Sequence, residues 1–244
     1  MDMKNNYYKN IMDEKITTNT NMNPNNGQNN RILFWVAIGV SILALSVSGI
    51  LIYELLIVKR AVPSVGESDV VVGSQTSKID VITYGDYQCG YSIQLNQEIE
   101  PLIMKNYVET GKAKMIYKDI PLFGEESLQA AIAARCANEQ NKYWEYHSAL
   151  FKTEIDERRV KGVGKYTGNL NRETFQKIAS NLGMDIENFL SCYDSQKYKD
   201  AINRDFEEFK KLSNNKPITP TTFIDGNMIV GAKPYYIFEQ YLKD

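Results

Sequence analysis

The sequence predicts an α/β domain with a helical insertion, preceded by one transmembrane helix, and three observations carry that reading. Ile32 to Val58 is an almost unbroken apolar run. Lys78–Tyr84 and Ala113–Asp119 are β-branched and aromatic runs separated by a segment of helical period, the pattern of a βαβ unit. Thr222–Ile224 and Met228–Val230 bracket Asp225-Gly226-Asn227, the pattern of a β-hairpin.

Composition narrows function before any motif does. The 244 residues are 43% apolar and 24% charged, an ordinary globular balance. A net charge of −2 argues against a nucleic-acid binder, which carries a basic excess. The single histidine, His147, makes a histidine-rich metal site or a Ser-His-Asp triad a poor prospect, and neither a metal nor a cofactor is implied. Three cysteines allow one internal pair at most and leave one thiol over.

Residues 1–31 are polar and rich in asparagine, with few apolar anchors, and read as a disordered tail. Residues 32–58 read as a transmembrane anchor. A bilayer needs about 20 apolar residues in a helix. Ile32 to Tyr53 supplies them, with Trp35 and Tyr53 near opposite ends, where interfacial aromatics belong. A cleaved signal peptide would have a shorter apolar core, a basic leader and an A-x-A-like site, and a buried core helix would show a polar face. Neither pattern is clear here. Residues 59–77 hold Pro63, glycines and serines and read as a linker with a short strand at Val70–Val72. The folded domain is expected over residues 78–244.

Within that domain the first strand gives way to a Gly85-Asp86 turn. From Tyr91 the apolar residues Tyr91, Leu95, Ile99, Leu102 and Ile103 fall at helical spacing. Pro101 should kink this helix near its end and Gly111 should stop it. Ala113–Asp119 then follows as a strand parallel to the first, through a right-handed crossover.

The helical insertion is expected over about 125–214. Leu128, Ile132 and Cys136 at i, i+4 spacing place Cys136 on a buried face. His147 reads as a helix packing position, ahead of an acid–base partnership with Cys89. Glu154–Leu170, with Gly162, Gly164 and Gly168, reads as a loop, because its GxG lacks the flanking strand and helix of a phosphate site. Further helices are expected over Asn171–Leu182, Asp185–Tyr193 and Tyr198–Leu212. Ile186, Phe189, Leu190 and Tyr193 give the second its buried stripe, which Cys192 borders. The Lys and Glu residues of the third read as a solvated face. Gly231–Leu242 closes the chain as a helix with Tyr235, Phe238 and Tyr241 facing inward.

Cys89 opens the first helix of the domain. Unpaired N–H groups and the macrodipole stabilise a thiolate there, so the sulfur is placed as a nucleophile. The segment Val81–Ser92, VITYGDYQCGYS, resembles the active-site segment of the DsbA-like branch of the thioredoxin superfamily, which usually ends Cys-Pro-Tyr-Cys. The block Ile132–Phe151 is similar to that family's helical insert, and Ile218–Gly226, ITPTTFIDG, to its cis-proline segment. The resemblance covers roughly Lys78 to Asp244. It implies a thioredoxin-like fold in which Thr219-Pro220 lies in the cis form beside Cys89 and, with Gly90 and Tyr91, receives a bound polypeptide. It also implies a structural Cys136–Cys192 disulfide, leaving Cys89 as the free thiol. Two buried, unpaired cysteines, or one of them resolving Cys89, stay open as alternatives.

Three departures limit what carries over. Ser92 stands where the family has its second cysteine, Gly90 where it has proline, and Thr83 where members often carry an acid. A serine cannot close a disulfide with Cys89. The resemblance therefore implies monothiol chemistry, isomerase- or reductase-like, on polypeptide thiols and disulfides. Cys89 would be its sole nucleophile, Ser92 a hydrogen-bond donor to the thiolate, and a membrane redox partner or small thiol would renew it. A redox-inactive polypeptide-binding or chaperone module, and a glutathione-using enzyme on a related helical-insert fold, are the competing readings. Arg31 against Lys59-Arg60 slightly favours a cytoplasmic domain by the positive-inside rule. A disulfide and the resemblance favour an oxidising compartment instead. The expectation is a single-pass protein of the cell membrane with its C-terminal domain outside the cytoplasm.

Overall fold

The computed structural model describes residues 26–57, 62–161 and 168–243. The chain divides into two units, one ending at Lys59 and one beginning at Arg60. The first is helix α1 (Asn26–Ile57). It starts earlier than the sequence suggests: residues 26–31, read as tail, are helical, and residues 1–25 lie outside the described residues. Arg31–Gly49 has a mean hydropathy of 2.2 and is long and apolar enough to cross a membrane. Its serines fit such a setting. Ser41, Ser46 and Ser48 donate their hydroxyls to the carbonyls of Ala37, Leu43 and Leu45, so no hydroxyl proton is left unpaired in an apolar surrounding.

The second unit is built on five strands, β1 (Val71–Gly73), β2 (Ile79–Gly85), β3 (Ala113–Asp119), β4 (Thr221–Ile224) and β5 (Asn227–Val230), in the order β1-β3-β2-β4-β5. β2 and β3 run parallel, with Val81 opposite Met115, and the other pairs are antiparallel. Between β2 and β3 the chain forms α2 (Gly90–Glu98), α3 (Glu100–Ile103) and a π-helical turn, Met104–Val108. The break falls at Ile99, two residues before Pro101, whose missing N–H interrupts the helical ladder. Between β3 and β4 come α4 (Glu125–Asn138), α5 (Tyr143–Lys161), α6 (Arg172–Asn181), α7 (Ile186–Asp194) and α8 (Lys199–Leu212), and α9 (Tyr235–Leu242) ends the domain.

Strand alternation gives the sheet two working faces. Val81, Ala113, Met115, Ile224 and Ile229 pack with Leu95, Ile99 and Ile103, and with Phe238 and Leu242 of α9. Ile82, Tyr84, Ile116 and Phe223 pack on the other face with Phe209 of α8. Helices α4 to α7 build a third cluster, which takes in Val70, Tyr87, Ile93, Tyr117 and Ile202 and is crossed by a disulfide between Cys136 and Cys192. Asp225 (φ 46°) and Gly226 (φ 74°) make the two-residue turn of the terminal hairpin, both in the left-handed region that such a turn requires.

Several sequence readings need correction. The stretch read as a linker is part of the domain: Pro63 and Val70 are buried, and β1 pairs with β3 from Val71, one residue later than expected. Asp69 is buried in an ion network with Lys118 of β3 and Arg135 of α4. The acidic side of α8 is not all solvated. Asp205 lies in its buried stripe between Ile202 and Phe209 and binds both cations, at 3.0 Å each. Glu208 binds Lys118 and accepts from the Tyr84 hydroxyl and the Ser64 N–H. Part of the segment read as a glycine-rich loop, residues 154–161, is helical, and Gly162 and Gly164 lie outside the described residues. Leu102, on the apolar period of the first helix, and Tyr241, expected to face inward, are exposed, and Leu242 takes the inward place beside Phe238.

Arg135 has no exposed surface and bridges three segments. Its Nε donates to Asp119 at 2.8 Å, Nη1 to the Ser68 carbonyl at 2.6 Å and Nη2 to Asp205 at 3.0 Å. Removing one member of such a network strands the others as buried, unpaired charges. Arg135→Met should therefore lower stability by about 3–5 kcal/mol, read as a shift in the urea midpoint. A loss under 1 kcal/mol would mean that the carboxylates repair themselves with water.

Candidate active site

The site grows from the end of β2. Gly85 has no side chain because the Tyr117 hydroxyl occupies the space a Cβ would fill. The chain then turns through Asp86, Tyr87 and Gln88 and enters α2, with Cys89 at its N-cap (φ −80°, ψ 120°). The turn is held largely by one side chain. Asp86 Oδ1 accepts from the Gln88 N–H and the Ser127 hydroxyl, both at 2.7 Å, and Oδ2 from the Phe123 N–H at 3.1 Å. Its carbonyl accepts the Cys89 N–H at 3.0 Å. One carboxylate thus ties the turn to the Pro121–Gly124 loop and to the first turn of α4.

Cys89 is buried, and its thiol donates to the Thr219 carbonyl at 3.2 Å. The Thr219–Pro220 peptide bond is cis. The structure brings these three residues together from opposite ends of the domain. Gly90 and Tyr91 are exposed beside them, Tyr91 by 66%. Ser92, by contrast, is buried, and its hydroxyl accepts from the Asp86 N–H at 3.3 Å. Among the described residues no hydrogen bond joins it to the Cys89 sulfur, contrary to the role expected of it. Cys136 and Cys192 form a disulfide that joins α4 to α7, so neither is available to Cys89 while it stands.

His147 does not face the thiol. Nδ1 meets the Tyr87 hydroxyl at 3.0 Å and Nε2 meets Glu100 at 3.3 Å, inside a cage of Tyr117, Tyr143, Trp144 and Phe151 rings. Thr83, at the position without the family's acid, pairs its buried hydroxyl with that of Thr222. Asp80 is turned away to Lys114. Asp86 is therefore the carboxyl built into the turn itself.

Sequence reasoning missed Gln88, Ser127 and Arg158. Gln88 is buried and accepts from Ser127, and Arg158 of α5 donates through Nη2 to the Gln88 carbonyl. Arg158 sits about 70 residues away in an unremarkable charged run, so no local pattern points to it.

The Asp86 carboxyl is pushed up to about 6 from 3.8: burial raises it, against the Gln88 N–H, the Ser127 hydroxyl and the Phe123 N–H. A raised value means that the native state holds the proton more tightly than the unfolded chain does. The resulting stability is fully present below about pH 3.8 and is lost as pH rises through about 6. The loss amounts to about 3 kcal/mol. In urea unfolding between pH 4 and 7, the difference between the protein and Asp86→Asn should follow this step. A difference independent of pH would show that Asp86 is ionised throughout.

Residues 66–244 match the family model described as Thioredoxin. The chain is 22% identical over 167 residues to disulfide bond formation protein D of Bacillus subtilis, covering 68% of this chain and 71% of that protein. Its fold is similar to the crystal structure of oxidised BdbD from Bacillus subtilis (TM-score 0.63, 21% identity, 74% of this chain and 94% of that one). Wolbachia pipientis alpha-DsbA1 is similar to a like degree (TM-score 0.62, 21% identity, 74% and 91%). With the cysteine at the head of α2 and the cis-proline bond set against it, the chain belongs to the DsbA-like thioredoxin family.

Proposed function

We propose that this protein is a membrane-anchored, extracytoplasmic thiol–disulfide exchange protein that acts on polypeptide disulfides through Cys89 alone. The observation that carries the reading is the meeting of Cys89, at the head of α2, with the Thr219 carbonyl across the cis bond. The disulfide-forming relative supports exchange as the chemistry. The apolar helix α1 supports the anchor. The Cys136–Cys192 bond supports an oxidising compartment.

In the first step the Cys89 thiolate attacks one sulfur of a substrate disulfide. A Cys89–substrate bond forms, and the other substrate sulfur leaves as thiolate. Ser92 offers no thiol to release the complex, so a second thiolate must do so. When that thiolate belongs to the substrate, the disulfide is isomerised; when a thiolate of a small thiol or membrane partner attacks the substrate sulfur, Cys89 departs as thiolate, the substrate leaves as a mixed disulfide with that thiol, and a second such thiol reduces it. Gly90, Tyr91 and the Thr219-Pro220 edge would hold the polypeptide during this exchange.

The test uses the full-length protein in detergent with scrambled ribonuclease A. A mixed disulfide through Cys89 should be trapped on acid quenching, disappear in Cys89→Ala and disperse when a small thiol is added. Ser92→Cys should gain an 89–92 disulfide, seen as a mass loss on oxidation. If no mixed disulfide forms and Cys89 alkylates at pH 6 no faster than free cysteine, the domain is a polypeptide-binding module without exchange chemistry.

A further inference from the structure

Without a resolving cysteine, turnover depends on how well Cys89 leaves as a thiolate, because leaving-group stability controls exchange rates. The α2 N-terminus supplies part of that stabilisation, as at any such helix end. A second, independent group lies along the same backbone. Arg158 Nη2 donates to the Gln88 carbonyl, one residue before Cys89. Its Nη1 lies 3.6 Å from the point a Cβ on Gly90 would occupy, one residue after Cys89. The guanidinium therefore spans the nucleophile's two neighbours. A side chain at position 90 would lie against it.

Among the described residues Arg158 is paired with one carboxylate, Glu154, which stands 3.9 Å from Nε and accepts from Asn169 at 2.8 Å through its other oxygen. Nε itself is buried and has no hydrogen-bond acceptor among the described residues. The side chain is only 16% exposed, so solvent screens its charge less than at an open surface. Asp86 is engaged with three donors of the turn and α4, and Glu126 with the Leu170 N–H.

We infer that Arg158 is a positioning residue for the exchange reaction: it fixes the Gln88 carbonyl and sets a permanent positive charge against the backbone on either side of Cys89, making its sulfur a better leaving group. This rests on the exchange reading of Cys89. In the step it serves, a small thiolate attacks the substrate sulfur of the Cys89–substrate disulfide. The new bond joins small thiol to substrate, the old bond breaks, and the electron pair departs on the Cys89 sulfur. No net oxidation or reduction occurs, and Arg158 gives up no proton.

The experiment measures alkylation of Cys89 in the full-length protein, in detergent, at pH 6 and pH 9. Arg158→Gln should slow iodoacetamide at pH 6 by about fivefold, the scale of one nearby charge at the surface, and leave the rate at pH 9 unchanged. Arg158→Lys should restore most of the loss. The wild-type protein gives a readout that needs no variant: the anionic reagent iodoacetate should gain on neutral iodoacetamide relative to their ratio with free cysteine. A wild-type Cys89 as slow as free cysteine at pH 6 would overturn the exchange reading itself. A fast wild-type Cys89 with an unchanged Arg158→Gln rate, or with no preference for iodoacetate, would overturn the role of Arg158 alone.

Discussion

The buried carboxylate of Asp86 is the constraint on which this site depends. A strand that ends in the sheet must turn within five residues into a helix, and the buried donors of that turn need partners. Asp86 provides for three donors through its side chain and a fourth through its carbonyl. Those bonds set where α2 begins and therefore which residue becomes its N-cap. They also reach the Phe123 N–H and Ser127, so the helical insertion is registered to the active-site turn rather than merely packed near it. The arrangement costs desolvation of a carboxylate, which is why its proton is held to about pH 6.

The parts of the fold that were legible in the sequence are those set by neighbours in the chain. The β2 strand, the break ahead of Pro101, the hairpin at Asp225-Gly226 and Cys89 at a helix start each follow from patterns a few residues long. The buried ion network could not be read that way. Asp69, Lys118, Arg135 and Asp205 come from four separate elements, and each looks solvent-facing in its own context. One clue was present: Asp205 lies three residues after Ile202 and four before Phe209, on the apolar stripe of α8. The inward face of α9 was misjudged for a related reason. Phe238 and Leu242, four apart, share a face, whereas Tyr241 is turned about 60° from Phe238 and sits at its margin.

Within the site the cysteine was legible and its surroundings were not. Tyr91 shares the apolar period of Leu95 and Ile99, but it lies at the second helical position, before the packing face begins at Ser92 and Ile93, and is exposed. Ser92 looked like a donor to the sulfur because it replaces a residue that would bond to it. Instead its hydroxyl oxygen accepts from the Asp86 N–H, inside the turn.

The consequence is a balance of charges around one sulfur. As a thiol, Cys89 satisfies the Thr219 carbonyl. On ionising, it gives up that bond and leaves a carbonyl oxygen facing a negative sulfur, with the Asp86 carboxylate held in the same turn. A dithiol protein can escape such a state by closing its own disulfide. On the monothiol reading proposed above, the opposing terms would come from groups that favour the anion: the first N–H groups of α2 and the Arg158 guanidinium along the backbone of Gln88 and Gly90. In the proposed exchange, a substrate sulfur bonded to Cys89 would take the place of the thiol proton, and the Thr219 carbonyl would lose its donor. A polypeptide N–H laid along the cis-proline edge can supply a replacement. Binding of the substrate backbone and formation of the mixed disulfide would then favour one another, and release of the polypeptide would be coupled to return of the proton to Cys89.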